Sequence, residues 1–214
     1  TQIEKGIERV ASTRDRLGEL ALGGTATGTG PNTHPQFPAL AAENIAEETD
    51  LAFREADNPF ESQAAHDAMS EAHGALRTVA CSMNKIANYL RLLASGPRNG
   101  LGEIEQPENQ PGSSIMPGKI NPVVAESVNQ VHKQVIGNDA TVAAGAARGE
   151  IDLNLYKPVL AHNFLQSASL IANSAEVFGE RFVGKLEANA DHCEKAVEQS
   201  MALATALNPA IGYD

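Results

Sequence analysis

Residues Phe60 to Ser95 read FESQAAHDAMSEAHGALRTVACSMNKIANYLRLLAS. Within them Met69, Ala72, Leu76, Val79, Met83, Ile86, Leu90 and Leu93 follow one another in alternating steps of three and four. That spacing places all of them on one helix face, and its persistence over several turns predicts a helix packed lengthwise in a bundle. At 1.5 Å per residue the stretch makes a rod of roughly 50 Å, whereas a compact domain of this length has a radius of gyration of about 17 Å. The rod should run the length of an elongated bundle, and copies of the same chain are the natural cover for its second face. Gly96-Pro97 stops the helix.

Ile3, Ile7, Val10, Leu17 and Ala21 predict an amphipathic helix ending at Gly23-Gly24. The Gly/Thr-rich run from Thr25 to Asn32 lacks the Gly-Lys-Ser/Thr of a phosphate loop and reads as a tight connection that lets backbone approach closely. A short helix over 38–49 follows. On the other side, Val124, Val128, Val131 and Val135 share a face, and the Ala- and Gly-rich end from Ala143 to Gly149 permits close helix contact. Pro158 opens a helix with Leu160, Phe164, Ser167, Ile171, Ala175, Phe178 and Phe182 on one side. A last helix is expected over 189–206. No strand pattern and no repeat stand out. The predicted class is all-α, an elongated bundle of long helices.

Composition agrees. Of 214 residues 42% are hydrophobic and only 4% aromatic, with no Trp, which suits close-packed helices better than a sheet. The formal charge of -11, from 27 acidic and 16 basic residues, argues against a nucleic-acid or acidic-membrane surface. It still allows a small anion in a locally positive pocket. Cys81 and Cys193 lie in no metal or redox spacing, so a reducing, cytoplasmic setting is expected. No apolar run is long enough to span a membrane. Thr1 enters a helical pattern at once and the chain stops just after Asn208-Pro209, so both ends read as cut from a longer protein.

The chemistry concentrates in Pro111-Gly-Ser-Ser-Ile-Met-Pro-Gly-Lys-Ile-Asn-Pro122. Two hydroxyls, a cation and a carboxamide sit among permissive glycines and rigid prolines. Asn121-Pro122 reads as a helix start with Asn as N-cap, so Lys119 and the positive helix end can face one anion together. A serine is a poor base until nearby positive charge stabilises its alkoxide, which Lys119 and that terminus offer to Ser113 or Ser114. Asn121 adds a neutral donor, and Glu126, one turn into the helix, can orient a neighbour. These residues fit proton abstraction beside a carboxylate. A polar turn is the plain alternative, and no Gly-x-Ser-x-Gly elbow is present. Among the histidines, His66 and His73 lie two turns apart on one face. Zinc sites on helices favour one turn, so solvated surface or a subunit contact is expected, and no metal.

The stretch Gly112 to Pro122 resembles the signature loop of the fumarase/aspartase superfamily. Pro107-Glu-Asn-Gln-Pro111, Leu153-Asn-Leu-Tyr-Lys-Pro158 and His162-Asn-Phe-Leu-Gln-Ser167 are similar to class II fumarate hydratases, as are Gly23 to Gly30 and Ser95-Gly-Pro-Arg98. Gly118 and Lys157 favour that group over the aspartases. The resemblance implies reversible hydration of fumarate to (S)-malate, without metal or organic cofactor. It makes Ser113 the proton acceptor, and Ser114, Lys119, Ile120 and Asn121 substrate contacts. Lys119 and Asn121 would hold an aci-carboxylate, and Glu126 would support the site. It also implies a homotetramer built through the long helices, with sites where three chains meet. Residues 1–205 would be the central helical domain and 206–214 the start of a truncated segment. An N-terminal domain, with its Thr-His pair and Ser-Ser-Asn loop, would be absent and the piece inactive alone. An aspartate ammonia-lyase and a non-catalytic oligomerisation module are the alternatives.

Overall fold

The computed structural model describes residues 1–212, so the last two positions of the predicted 206–214 segment lie outside the described residues. Helices α1 (Gln2–Ala11), α2 (Arg14–Leu17), α3 (Phe37–Thr49), α4 (Pro59–Ala64), α5 (Asp67–Leu93), α6 (Val123–Ala146), α7 (Lys157–Arg181), α8 (Ala190–Glu198) and α9 (Asn208–Ile211) follow in chain order. Short 3-10 turns occupy Val183–Lys185 and Met201–Leu207. The class is all-α, as the periodicity predicts. The sequence pattern did not show the two-residue strands: β1 (Glu19–Leu20) pairs in parallel with β2 (Arg54–Glu55), and β3 (Ile104–Glu105) antiparallel with β4 (Glu187–Ala188). Strands this short carry no alternation to read.

The predicted helix over 60–95 is two helices. Asn58 caps α4 by accepting from the N–H groups of Phe60 and Glu61 at 3.0 and 3.3 Å, and Ala65 is extended (φ -113, ψ 151). The rod proper is therefore the 27 residues of α5, about 40 Å long. Its seam is as read: Ala72, Leu76 and Met83 are buried and the other five positions half-buried.

The predicted N-terminal helix also breaks. Beyond α1, the hydroxyls of Ser12 and Thr13 donate back to the carbonyls of Arg9 and Val10 at 2.8 Å, an alternative to continuing the helix. Ile7 is 65% exposed, while Gly6 is buried and a methyl group there would stand 3.0 Å from Val79 Cγ2. The face that packs is the glycine face, so hydrophobicity pointed the wrong way. The helix expected over 189–206 likewise stops at Glu198, where the chain turns into an exposed 3-10 segment.

The chain forms two compact units, Thr1–Asn84 with Asn129–Ala175, and Lys85–Val128 with the chain from Glu176 onward. In the first, Leu76, Val135, Val142 and Leu160 are buried. Gly145 brings α6 close to α7, since a Cβ there would meet Leu160 at 2.9 Å. Gly28, at φ +93, lets its backbone approach Phe60, where a Cβ would come to 2.7 Å. The Gly/Thr loop is thus the close connection read from sequence. In the second unit Ala87, Val124, Ala125 and Val128 are buried, and the rings of Phe178 and Phe182 stack at 5.6 Å.

Candidate active site

The second unit carries the loop Gly112 to Pro122, and its base is tied. Gly112 packs so tightly on the Lys119 carbonyl that a methyl group would overlap it, so only glycine fits. Asn121 Nδ2 donates to the Gly112 carbonyl at 2.7 Å, and Gln106 Nε2 donates to the Ile120 carbonyl at 3.4 Å. Met116-Pro117-Gly118-Lys119 is a turn closed by Lys119 N–H on the Met116 carbonyl at 3.2 Å. Pro117 suits its second position and Gly118, at φ +78, its third, the pattern of a type II turn.

Below this loop lies a cavity of about 620 Å³, lined by Lys119, Ile120, Asn121 and Glu126. The end of α5 and the turn after it add Asn88, Arg91 and Ser95, and the β3 side adds Gln106. Ser95 is fixed by its own turn: its hydroxyl donates to the Leu92 carbonyl at 2.5 Å and accepts from Leu101 N–H at 3.1 Å. Two cations and several carboxamides around one space make it suited to an anion. Among the described residues Glu126 is the one carboxylate in the lining; its Oε1 lies 3.9 Å from Arg91 Nη2.

Four of the six residues singled out by sequence thus share one cavity. Ser113 and Ser114 are not in its lining. Ser113 is half-buried and its Oγ accepts from Ile115 N–H at 3.3 Å, a local serine turn; Ser114 is exposed. The N-cap reading of Asn121 is corrected: α6 starts at Val123 and the Asn121 amide turns to Gly112 instead. That leaves its second N–H and its oxygen for other partners. Sequence reasoning passed over Arg91 and Gln106. The signal was present in Leu90-Arg91-Leu92-Leu93, a cation set in an apolar last turn.

The surface reading of His73 is overturned. Its side chain is fully buried, with Nδ1 2.8 Å from Asp139 and Nε2 2.8 Å from Ser167. Arg77 donates to the other Asp139 oxygen at 2.9 Å, and Asn138 Nδ2 to Ser167 Oγ at 2.9 Å. This buried network ties α5, α6 and α7 within the first unit. His66, just ahead of α5, is half-buried. Asn154 pins the α6–α7 turn, donating to the carbonyls of Gly145 and Arg148 and accepting from Tyr156 N–H. Among the described residues no group of three or more His, Cys, Asp or Glu could hold a metal ion, and no helix is long and apolar enough to cross a membrane.

A family model described as "Lyase" matches residues 1–137. A class II fumarate hydratase of Halobacterium salinarum is 78% identical over all 214 residues, which cover 46% of that protein. One from Corynebacterium glutamicum is 52% identical over the whole chain, covering 45% of its own length. Among solved structures, a class II fumarase of Schistosoma mansoni superposes with a TM-score of 0.95 at 35% identity, covering 100% of this chain and 48% of that one. A fumarate lyase:delta crystallin of Brucella melitensis gives 0.92 at 43%, covering 98% and 46%. The chain spans about half the length of the curated relatives it matches.

Proposed function

We propose, from the premise that this chain belongs to the lyase family, that the protein it is part of adds water reversibly to fumarate, giving (S)-malate. Its fold is that of the fumarase/aspartase superfamily. The observation that carries the reading is that Lys119, Asn121 and Glu126 meet on one cavity under a loop whose base is tied, in a chain alike along its whole length to fumarate hydratases.

From malate, Ser113 as alkoxide takes the proton from the carbon beside a carboxylate. The electron pair moves into that carboxylate and makes the aci-carboxylate, whose charge then is greatest. Lys119 and the free N–H of Asn121 hold that charge more strongly than they hold the substrate, which is what lowers the barrier. The hydroxyl leaves as water, taking a proton from an acid outside this chain; hydration runs the same steps backward. Ser113 reaches the cavity by a movement of residues 113–118 about the base fixed by Gly112 and Asn121. Ser114 and Ile120 contact the substrate, and Glu126 supports the site. No cofactor takes part.

Residues 1–205 form the central helical domain of a homotetramer, and 206–214 begin a further segment. Chains meeting along the long helices complete each site, so the piece alone is inactive. We place the enzyme in the cytoplasm and in the tricarboxylic acid cycle. The test is turnover by the full-length protein: loss of fumarate absorbance with matching malate is expected. Ammonia from aspartate with no malate from fumarate would identify an aspartate ammonia-lyase instead. Residues 1–214 turning over at the full-length rate would overturn the composite site.

A further inference from the structure

Arg91 is a cation without adequate work. Its Nε is buried and makes no hydrogen bond, and its nearest charged partner is Glu126, at 3.9 Å from Nη2. That separation keeps the Coulomb attraction and forgoes the hydrogen bond. A planar guanidinium is built to grip a carboxylate through two parallel N–H groups, and the carboxylate in its cavity is that of Glu126. Gln106 is in a similar position: its Oε1 is buried without a partner while its amide reaches the backbone of Ile120. So the cavity that Lys119 and Asn121 line also holds unspent polar capacity at two further side chains, and Arg91 is the charged one.

We infer that Arg91 is a positioning residue: it fixes the Glu126 carboxylate at the cavity beside Lys119 and Asn121. The inference rests on the hydration reading above, since it assigns Arg91 a part in that reaction. Its action passes through Glu126, because that carboxylate is the charged group that lies within 4 Å of its guanidinium.

The experiment is a double-mutant cycle in the full-length protein, with fumarate and malate as substrates. Arg91→Met, Glu126→Gln and the double variant are compared, with Arg91→Lys as the conservative change. Arg91→Met is expected to lower kcat about 30-fold with KM within about threefold, because the carboxylate's placement matters most in the transition state. Arg91→Lys should recover at least a third of the wild-type kcat, and the double variant should be no slower than Glu126→Gln alone. Should Arg91→Met not fold, Arg91→Lys and Glu126→Gln carry the test, with the same non-additivity expected in their double. Unchanged kcat in Arg91→Met, a rise in KM alone, or multiplying losses in the double variant would overturn the inference while the hydration reading stands. A wild-type protein inactive with both substrates overturns both.

Discussion

The carboxamide of Asn121 donates to the Gly112 carbonyl at 2.7 Å, across the neck of the loop that carries Ser113 and Lys119. The same neck is closed by the contact of Gly112 with the Lys119 backbone. The loop is therefore fixed at its base, while its tip, residues 114 to 118, is exposed. Gly112→Ala forces the two ends of the loop apart. In the full-length protein we expect at least a tenfold loss of kcat/KM with a melting temperature within about 3 °C of wild type, since the loop buries little. Wild-type activity in Gly112→Ala would contradict the tied base.

His73 is expected to matter for stability. Replacing it by Ala leaves Asp139 and Ser167 without their buried partner and opens a cavity, a cost of about 3 kcal/mol or more. Ser167→Ala removes one hydroxyl and should cost about 1 kcal/mol. Urea denaturation measures both. A change below about 1 kcal/mol for His73→Ala would mean that the network contributes little.

A pH dependence follows from two other histidines. Burial first, and then the charge of Lys157, pushes the His66 imidazole below its ordinary range. Burial first, and then Lys133, does the same for His132. His66 Nε2 and His132 Nδ1 are buried without hydrogen bonds. The unfolded chain, with ordinary values of about 6.5, takes up these protons before the folded one does. Their contribution is fully present above that value and is lost as pH falls toward the depressed folded values. The denaturation midpoint should drop between about pH 7 and pH 5, and less steeply in the His66→Asn, His132→Asn double variant. Equal slopes would contradict the assignment.

Gly28→Ala is expected to destabilise by about 2 kcal/mol. Its φ of +93 disfavours a side chain and the added carbon would meet the Phe60 backbone. A neutral effect on the denaturation midpoint would show that the loop can yield.

What could be read from sequence was what repeats. The seam of α5 and the valine face of α6 recur every turn, and both are found packed. What could not be read was decided by single contacts: Ala65 turning extended between two helices, and Gly6 rather than Ile7 meeting Val79. The site divides in the same way. Lys119, Asn121 and Glu126 were legible because they crowd one short stretch, whereas Arg91 joins them only through the fold. His73 was misread because its partners, Asp139 and Ser167, lie on other helices far along the chain.

The most direct measurement is the turnover of fumarate by the full-length protein carrying Ser113→Ala or Lys119→Ala, followed by ultraviolet absorbance. Loss of the base, or of the cation that holds the aci-carboxylate, should lower kcat by about a hundredfold or more in each. Turnover at the wild-type rate in both variants would contradict the account.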